Sequence, residues 1–313
     1  MNAFFTSLSS APTLKKFMQL KLFGMEMKHL PRVSQAFVRT SSVICAVILL
    51  SVAVELASTA YHSLTYERSS FEGSAEVQNY ENRIENQIKV MSEWDLTKYY
   101  WKNNLAVAGY RVLFTPWYIG VSSEVYQSYG VGVVNTYILY RENALAPFRA
   151  AIETHGLLEM TGFFIISAIT ARLAWNLWKG LAHLMAASTK KRKPKLKKSK
   201  ARIKEILGDF LILASIGFLM IFLAAPIEAY VSPWVWGVFD ITLVLPYVFL
   251  TLVALFYITV FFVQFRGWEM MKKDAKKIRT DIKSLLKGKF VPAHLSLLMF
   301  ILFTIPAIII ILM

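Results

Sequence analysis

The sequence predicts an all-α membrane protein: a polytopic bundle of transmembrane helices with six to seven membrane segments, including a short hairpin that either crosses or re-enters. Three observations carry this. Hydrophobic residues make up 56% of the 313 and charged residues only 18%, where soluble domains run nearer half and a quarter. Five stretches are apolar over about 20 residues, the length a helix needs to cross a hydrocarbon core of roughly 30 Å. The 35 lysines and arginines, set against 20 acidic residues, cluster in three segments around those stretches.

A basic N-terminal segment, residues 1–40, precedes a membrane domain, residues 41–313. The N-terminal segment has no short apolar core ending at small residues, so the first span is expected to act as an uncleaved anchor. Within it Leu14, Phe17, Met18, Leu22 and Met25 recur at helical spacing among Lys15, Lys16 and Lys21. That suits either a helix on the membrane surface or a loosely ordered basic tail. The five apolar spans are 41–60, 152–178, 206–231, 238–265 and 291–313.

Between the first two spans lie an outer segment, 61–103, and two weaker stretches, 105–121 and 125–139. In the outer segment Val77, Ile84, Ile88 and Met91 fit one or two short amphipathic helices. A unit this small lacks a core of its own and is expected to pack on the bundle or on a partner. The weaker stretches are interrupted by Gly109, Pro116, Gly120, Gly130 and Gly132. The second would reach only about 22 Å as a helix. Broken segments of this kind are tolerated where they pack against protein or line a cavity. Later in the chain, Ile278, Ile282 and Leu285 mark a helical stripe within the basic loop 266–290.

Charge sets the orientation. The first 40 residues hold 6 basic residues, the loop 179–205 holds 11 and the loop 266–290 holds 9, together 26 of the 35. The segment 61–104 holds 5 basic against 7 acidic residues. The positive-inside rule puts the three basic segments in the cytoplasm, with the N-terminus inside a multi-pass cell-membrane protein. A hairpin returns to the side it left, so its mode of insertion does not change this parity. The tract 190–200 lacks the interleaved aromatics of a base-reading surface. It is read as a topology determinant that meets anionic lipid head groups, and no nucleic-acid partner is expected. The single cysteine, Cys45, excludes a disulfide framework and a paired-cysteine zinc site.

Ionisable residues inside spans are costly, about 2.5–3.5 kcal/mol each at a helix centre. Glu55, Arg111, His155, Glu159 and Glu228 fall at similar depth near the outer ends of four segments, which makes them a candidate polar cluster. His155 and Glu159 share one helical face. Arg172 and Asp209 are placed near the inner face, where they can pair. Two readings of the outer cluster stand open: a hydrogen-bonded structural network, or a site for an ion, a proton or a lipid head group. Catalysis finds no support, because the metalloprotease pattern of two histidines around a glutamate, a rhomboid-type serine with its histidine, and nucleotide-binding glycine loops are all missing. No enzyme activity, cofactor or metal is expected.

Asn104-Leu-Ala-Val-Ala before a glycine-punctuated hairpin, His155-Gly156-Leu-Leu-Glu159 at a span entrance, and Ile227-Glu228-Ala-Tyr-Val-Ser-Pro233 at a span exit together resemble the stage II sporulation protein M family. On that resemblance the motif residues are Asn104, Gly120, His155, Gly156, Glu159, Glu228 and Pro233. The chain departs from the family in Tyr129-Gly-Val-Gly132, where an Asn-Gly pair is expected, and in its long outer loop and dense lysine tract. The resemblance implies a membrane scaffold, as the family's named member holds cell-wall hydrolases during engulfment. Protein partners are then expected at the outer segment or the cytoplasmic basic loops. The competing expectation is a transporter or channel subunit, in which Glu124, Arg172 and Asp209 would continue a polar path to the inner face. An intramembrane hydrolase is the third.

Overall fold

The computed structural model describes residues 31–65, 78, 91–141, 156–185, 193–231, 252–287 and 291–312. The amphipathic stretch 13–27, most of the outer segment, His155 and Pro233 lie outside the described residues. Among the described residues every regular element is helical. The helices are α1 (Arg32–Thr65), α2 (Glu93–Leu113), α3 (Ile119–Arg141), α4 (Gly156–Met185) and α5 (Lys193–Pro226). They are followed by α6 (Leu252–Gln264), α7 (Gly267–Leu286) and α8 (Pro292–Leu312). The helix α5 runs on into a π-helical turn, Ile227–Val231, beyond Pro226, and the second half of α6, Ile258–Gln264, is also π-helical.

Three of these helices are long and apolar enough to cross a membrane: α1, α4 and the stretch Ser199–Tyr230. A fourth is reached if α6 and α7, which meet at a 61° bend, are taken as one broken span.

The centre of the bundle is α4, buried along most of its length from Thr161 to Ala174. It packs most extensively on α5. The reason is local. Gly162 and Gly217 face each other, and a β-carbon on Gly162 would lie 2.7 Å from the Gly217 carbonyl oxygen. In an apolar solvent, helix association rests on such close packing between small residues. On its other sides α4 contacts α1, α3 and α8.

The hairpin differs from its expected form. Its arms are α2 and α3, and the turn lies at 114–118 rather than at the polar residues 122–124. Ser92 caps α2 by accepting a hydrogen bond from the Asp95 backbone N–H at 3.2 Å, and the acidic Glu93 and Asp95 complement the positive end of the helix. The turn holds Pro116 and places Tyr118 in the left-handed region, φ 56°. This strained tyrosine is buried. Its hydroxyl donates to the Ser296 carbonyl at 3.3 Å and its ring meets Phe300 edge-on. Trp178 Nε1 donates to the Pro116 carbonyl at 2.7 Å, so the hairpin tip is docked beside the far end of α4. With 21 and 23 residues the arms extend about 32 and 35 Å. The sequence reading fell short because residues 93–104 are polar and aromatic rather than apolar.

The basic segments meet at one end of the bundle. Arg39 of α1 pairs with Glu205 of α5 at 3.4 Å. Lys179 at the end of α4 lies within electrostatic reach of Arg202, Lys277 and Asp281. The Ser42 hydroxyl donates to Asp274 of α7 at 2.7 Å.

Candidate functional site

Three polar stations are stacked along α4. The middle one is the most enclosed. Arg111, on α2, is completely buried, and its guanidinium meets Glu124 Oε2 of α3 at 2.5 Å. It also donates to Ser167 Oγ at 2.6 Å, to the Phe163 carbonyl at 3.3 Å and to Ser123 Oγ at 3.2 Å. Gln127 Oε1 accepts from its remaining nitrogen, and the Phe163 ring lies 4.4 Å beneath it. Glu124 is held in turn by Ser167 at 3.1 Å and by Ser51 of α1 at 3.5 Å. Four helices therefore contribute to one hydrogen-bonded ion pair. A buried pair of this kind is tolerable only when its remaining donors and acceptors are also satisfied, and here the serines and Gln127 do that.

The upper station holds the motif residues. Asn104 of α2 hydrogen-bonds the Glu159 carboxyl of α4, and Arg111 acts on the same carboxyl electrostatically. Glu55 lies elsewhere, at the contact of α1 and α3, where its carboxylate accepts from Asn135 Nδ2 at 2.8 Å. Beside it Ser58 donates to the Tyr129 carbonyl at 2.9 Å, and His62 meets the Tyr129 hydroxyl at 3.1 Å. Glu228 sits half-buried in the π-helical turn, which packs against α2.

The lower station bears on the inner-face pair expected from the sequence. Asp209 of α5 accepts from Arg172 of α4 at 2.8 Å and also from Arg39 of α1, at 2.5 and 2.9 Å. Arg172 further donates to Thr40 at 2.8 Å. One carboxylate thus ties three helices at the basic end.

Of the five residues expected to cluster, four are described. Arg111 acts electrostatically on Glu159, Glu55 accepts from Asn135, Glu228 lies in the π-helical turn, and His155 lies outside the described residues. Arg111 also sits deeper than placed: its partner Ser167 is well inside α4, whose first residue is Gly156. Glu124, expected on an inner path, is instead the ion-pair partner of Arg111. The spacing of Glu124, Gln127 and Ser128 at i, i+3 and i+4 was the available signal, since such a polar stripe on an apolar helix faces one neighbour. Gly120 has a packing role: a β-carbon there would lie 2.4 Å from Thr170 Oγ1, so this glycine lets α3 start against α4. Gly156 begins α4. Among the described residues no group of three or more histidine, cysteine or acidic side chains is arranged to hold a metal.

A family model described as stage II sporulation protein M matches residues 27–233, which span α1 to α5 and the π-helical turn. No curated protein and no solved structure matches the chain.

Proposed function

Because the chain belongs to the stage II sporulation protein M family, we propose that it is a non-enzymatic scaffold or accessory component of a membrane complex, resident in the cell membrane. In this reading α1, α4, α5, α6 and α8 cross the bilayer and the α2–α3 hairpin inserts beside them, giving six to seven segments. The basic end faces the cytoplasm, a placement that the lysine distribution supports. Partners dock on the outer segment or on the basic loops.

The observation that carries the scaffold reading is the saturation of Arg111. Its guanidinium binds Glu124, Ser167, Gln127, Ser123 and a backbone carbonyl, which fixes the hairpin to α4 and leaves a rigid platform. A second reading, a transporter or channel subunit, draws on the stacking of Glu159, Ser167 and Arg172 along one helix, since intramembrane charges often mark ion or proton routes. Reconstituted protein separates the two. The scaffold reading expects proton and cation flux at the level of empty liposomes, together with discrete protein adducts from photo-crosslinkers at Trp94 in native membranes. Flux that Glu159→Gln abolishes would replace it with the transporter reading.

A further inference from the structure

Beyond the family-matched region, α6 and α7 form a feature that the polar stations do not use. Between α1 and α6 runs an open apolar groove of about 580 Å³, within the roughly 300–1,000 Å³ range of small-molecule sites. Ile48, Leu49 and Val52 form one wall, and Ile258, Phe262 and Val263 the other. Both walls are apolar, and α1 is long and apolar enough to cross a membrane, so the groove opens toward lipid tails. Its mouth is different. There the chain bends by 61°, with Arg266 in the left-handed region, φ 55°, and Arg266, Trp268 and Glu269 line the opening.

The bend is firmly built. The Phe37 and Phe265 rings stack at 4.9 Å, Cys45 donates to the Phe261 carbonyl at 3.4 Å, and Ser42 holds Asp274. From the mouth, α7 leaves carrying Lys272, Lys273, Lys276, Lys277, Arg279 and Lys283 against Glu269, Asp274 and Asp281. Lys272 lies over the Trp268 ring at 5.0 Å, and half-exposed Ile278, Ile282 and Leu285 continue an apolar edge. A helix of this composition lies in the plane of the head groups. Its excess of cations at that depth favours an anionic lipid over a zwitterionic one, and the Arg266 guanidinium, which donates to Glu269 at 2.7 and 3.0 Å, keeps further N–H donors for a phosphate.

We propose that this groove is a binding site for an anionic glycerophospholipid of the leaflet at the basic end. One acyl chain lies between α1 and α6, and the phosphate sits at the mouth near Arg266, Trp268 and Lys272. The site stands independently of the scaffold reading.

The test uses full-length protein in phosphatidylcholine nanodiscs, with phosphatidylglycerol carrying an acyl-chain diazirine as the probe. Adducts are expected on residues 48–52 and 257–263, competed at least tenfold better by unlabelled phosphatidylglycerol than by phosphatidylcholine. Ile258→Trp, which fills the groove from α6, and Val52→Trp, which fills it from α1, should each remove these adducts while the protein stays monodisperse. Arg266→Gln with Lys272→Gln should erase the preference for phosphatidylglycerol and keep the adducts. Adducts spread evenly over all lipid-facing helices, equal competition by the two lipids, or a crosslinked dimer through residues 48–52 would overturn the proposal.

Discussion

Arg111 and Glu124 stand thirteen residues apart in sequence on opposite arms of the hairpin, and meet at 2.5 Å across its interior. Each arm brings one charge that it could not carry alone into an apolar setting. The pair therefore couples the folding of the hairpin to its docking on α4.

Removing one member should be more harmful than removing both. Arg111→Met or Glu124→Leu alone strands a buried charge, which typically costs about 3–5 kcal/mol. The double variant is expected to recover a large part of that loss. Equilibrium unfolding in mixed detergent, read as a double-mutant cycle, measures the coupling; additive losses would show that the pair does not act as a unit.

The α4–α5 contact predicts a size series. Gly162→Ala should destabilise the protein modestly and Gly162→Leu more strongly, about 1–3 kcal/mol for overpacking, because the Gly217 carbonyl stands where the new β-carbon must go. Spin-label distances between α4 and α5 should lengthen in the same order.

At the basic end, Asp209 balances two arginines. Asp209→Asn leaves Arg39 and Arg172 facing each other and should cost about 1.5–3 kcal/mol, the worth of hydrogen bonds to a charged group. Adding Arg39→Gln to that variant should restore part of the loss, measured by the same unfolding assay.

Asp95, in the outer segment at the exposed start of α2, is predicted to titrate below the ordinary carboxylate range. Its hydrogen bond from the Ser92 hydroxyl, and after it the pairing with Lys98, hold its pKa down. A carboxyl with a depressed folded-state pKa contributes its stabilisation above the unfolded value near ~3.9 and loses it as pH falls through the folded value. Ser92→Ala should raise the midpoint, seen by carbon NMR of labelled aspartate. An unchanged midpoint would remove Ser92 as the cause.

Orientation is open to labelling. In a Cys45→Ala background, single cysteines at Lys204 and Lys276 should react with an impermeant maleimide only after permeabilisation, whereas one at Trp94 should react in intact cells. Labelling of Lys204 and Lys276 positions from opposite sides would contradict the shared basic end.

The sequence by itself determined the class of this protein. Runs of apolar residues long enough for a bilayer, and lysines and arginines gathered mostly in three segments, follow from the low solubility of charge in hydrocarbon, which is a property of composition and needs no partner. It also carried the Arg172–Asp209 pair, because depth along a span is a one-dimensional quantity. Only the tertiary structure decided which charges meet. Ser123 and Glu124 read as part of a polar break, yet they lie inside α3, because Arg111 on the other arm makes their burial favourable. Glu55 shares its sequence depth with the cluster but faces Asn135, since the rotation of α1 about its own axis is set by packing against α3. Azimuth and pairing are fixed by neighbouring helices, and a linear pattern contains no information on which neighbour stands at a given face.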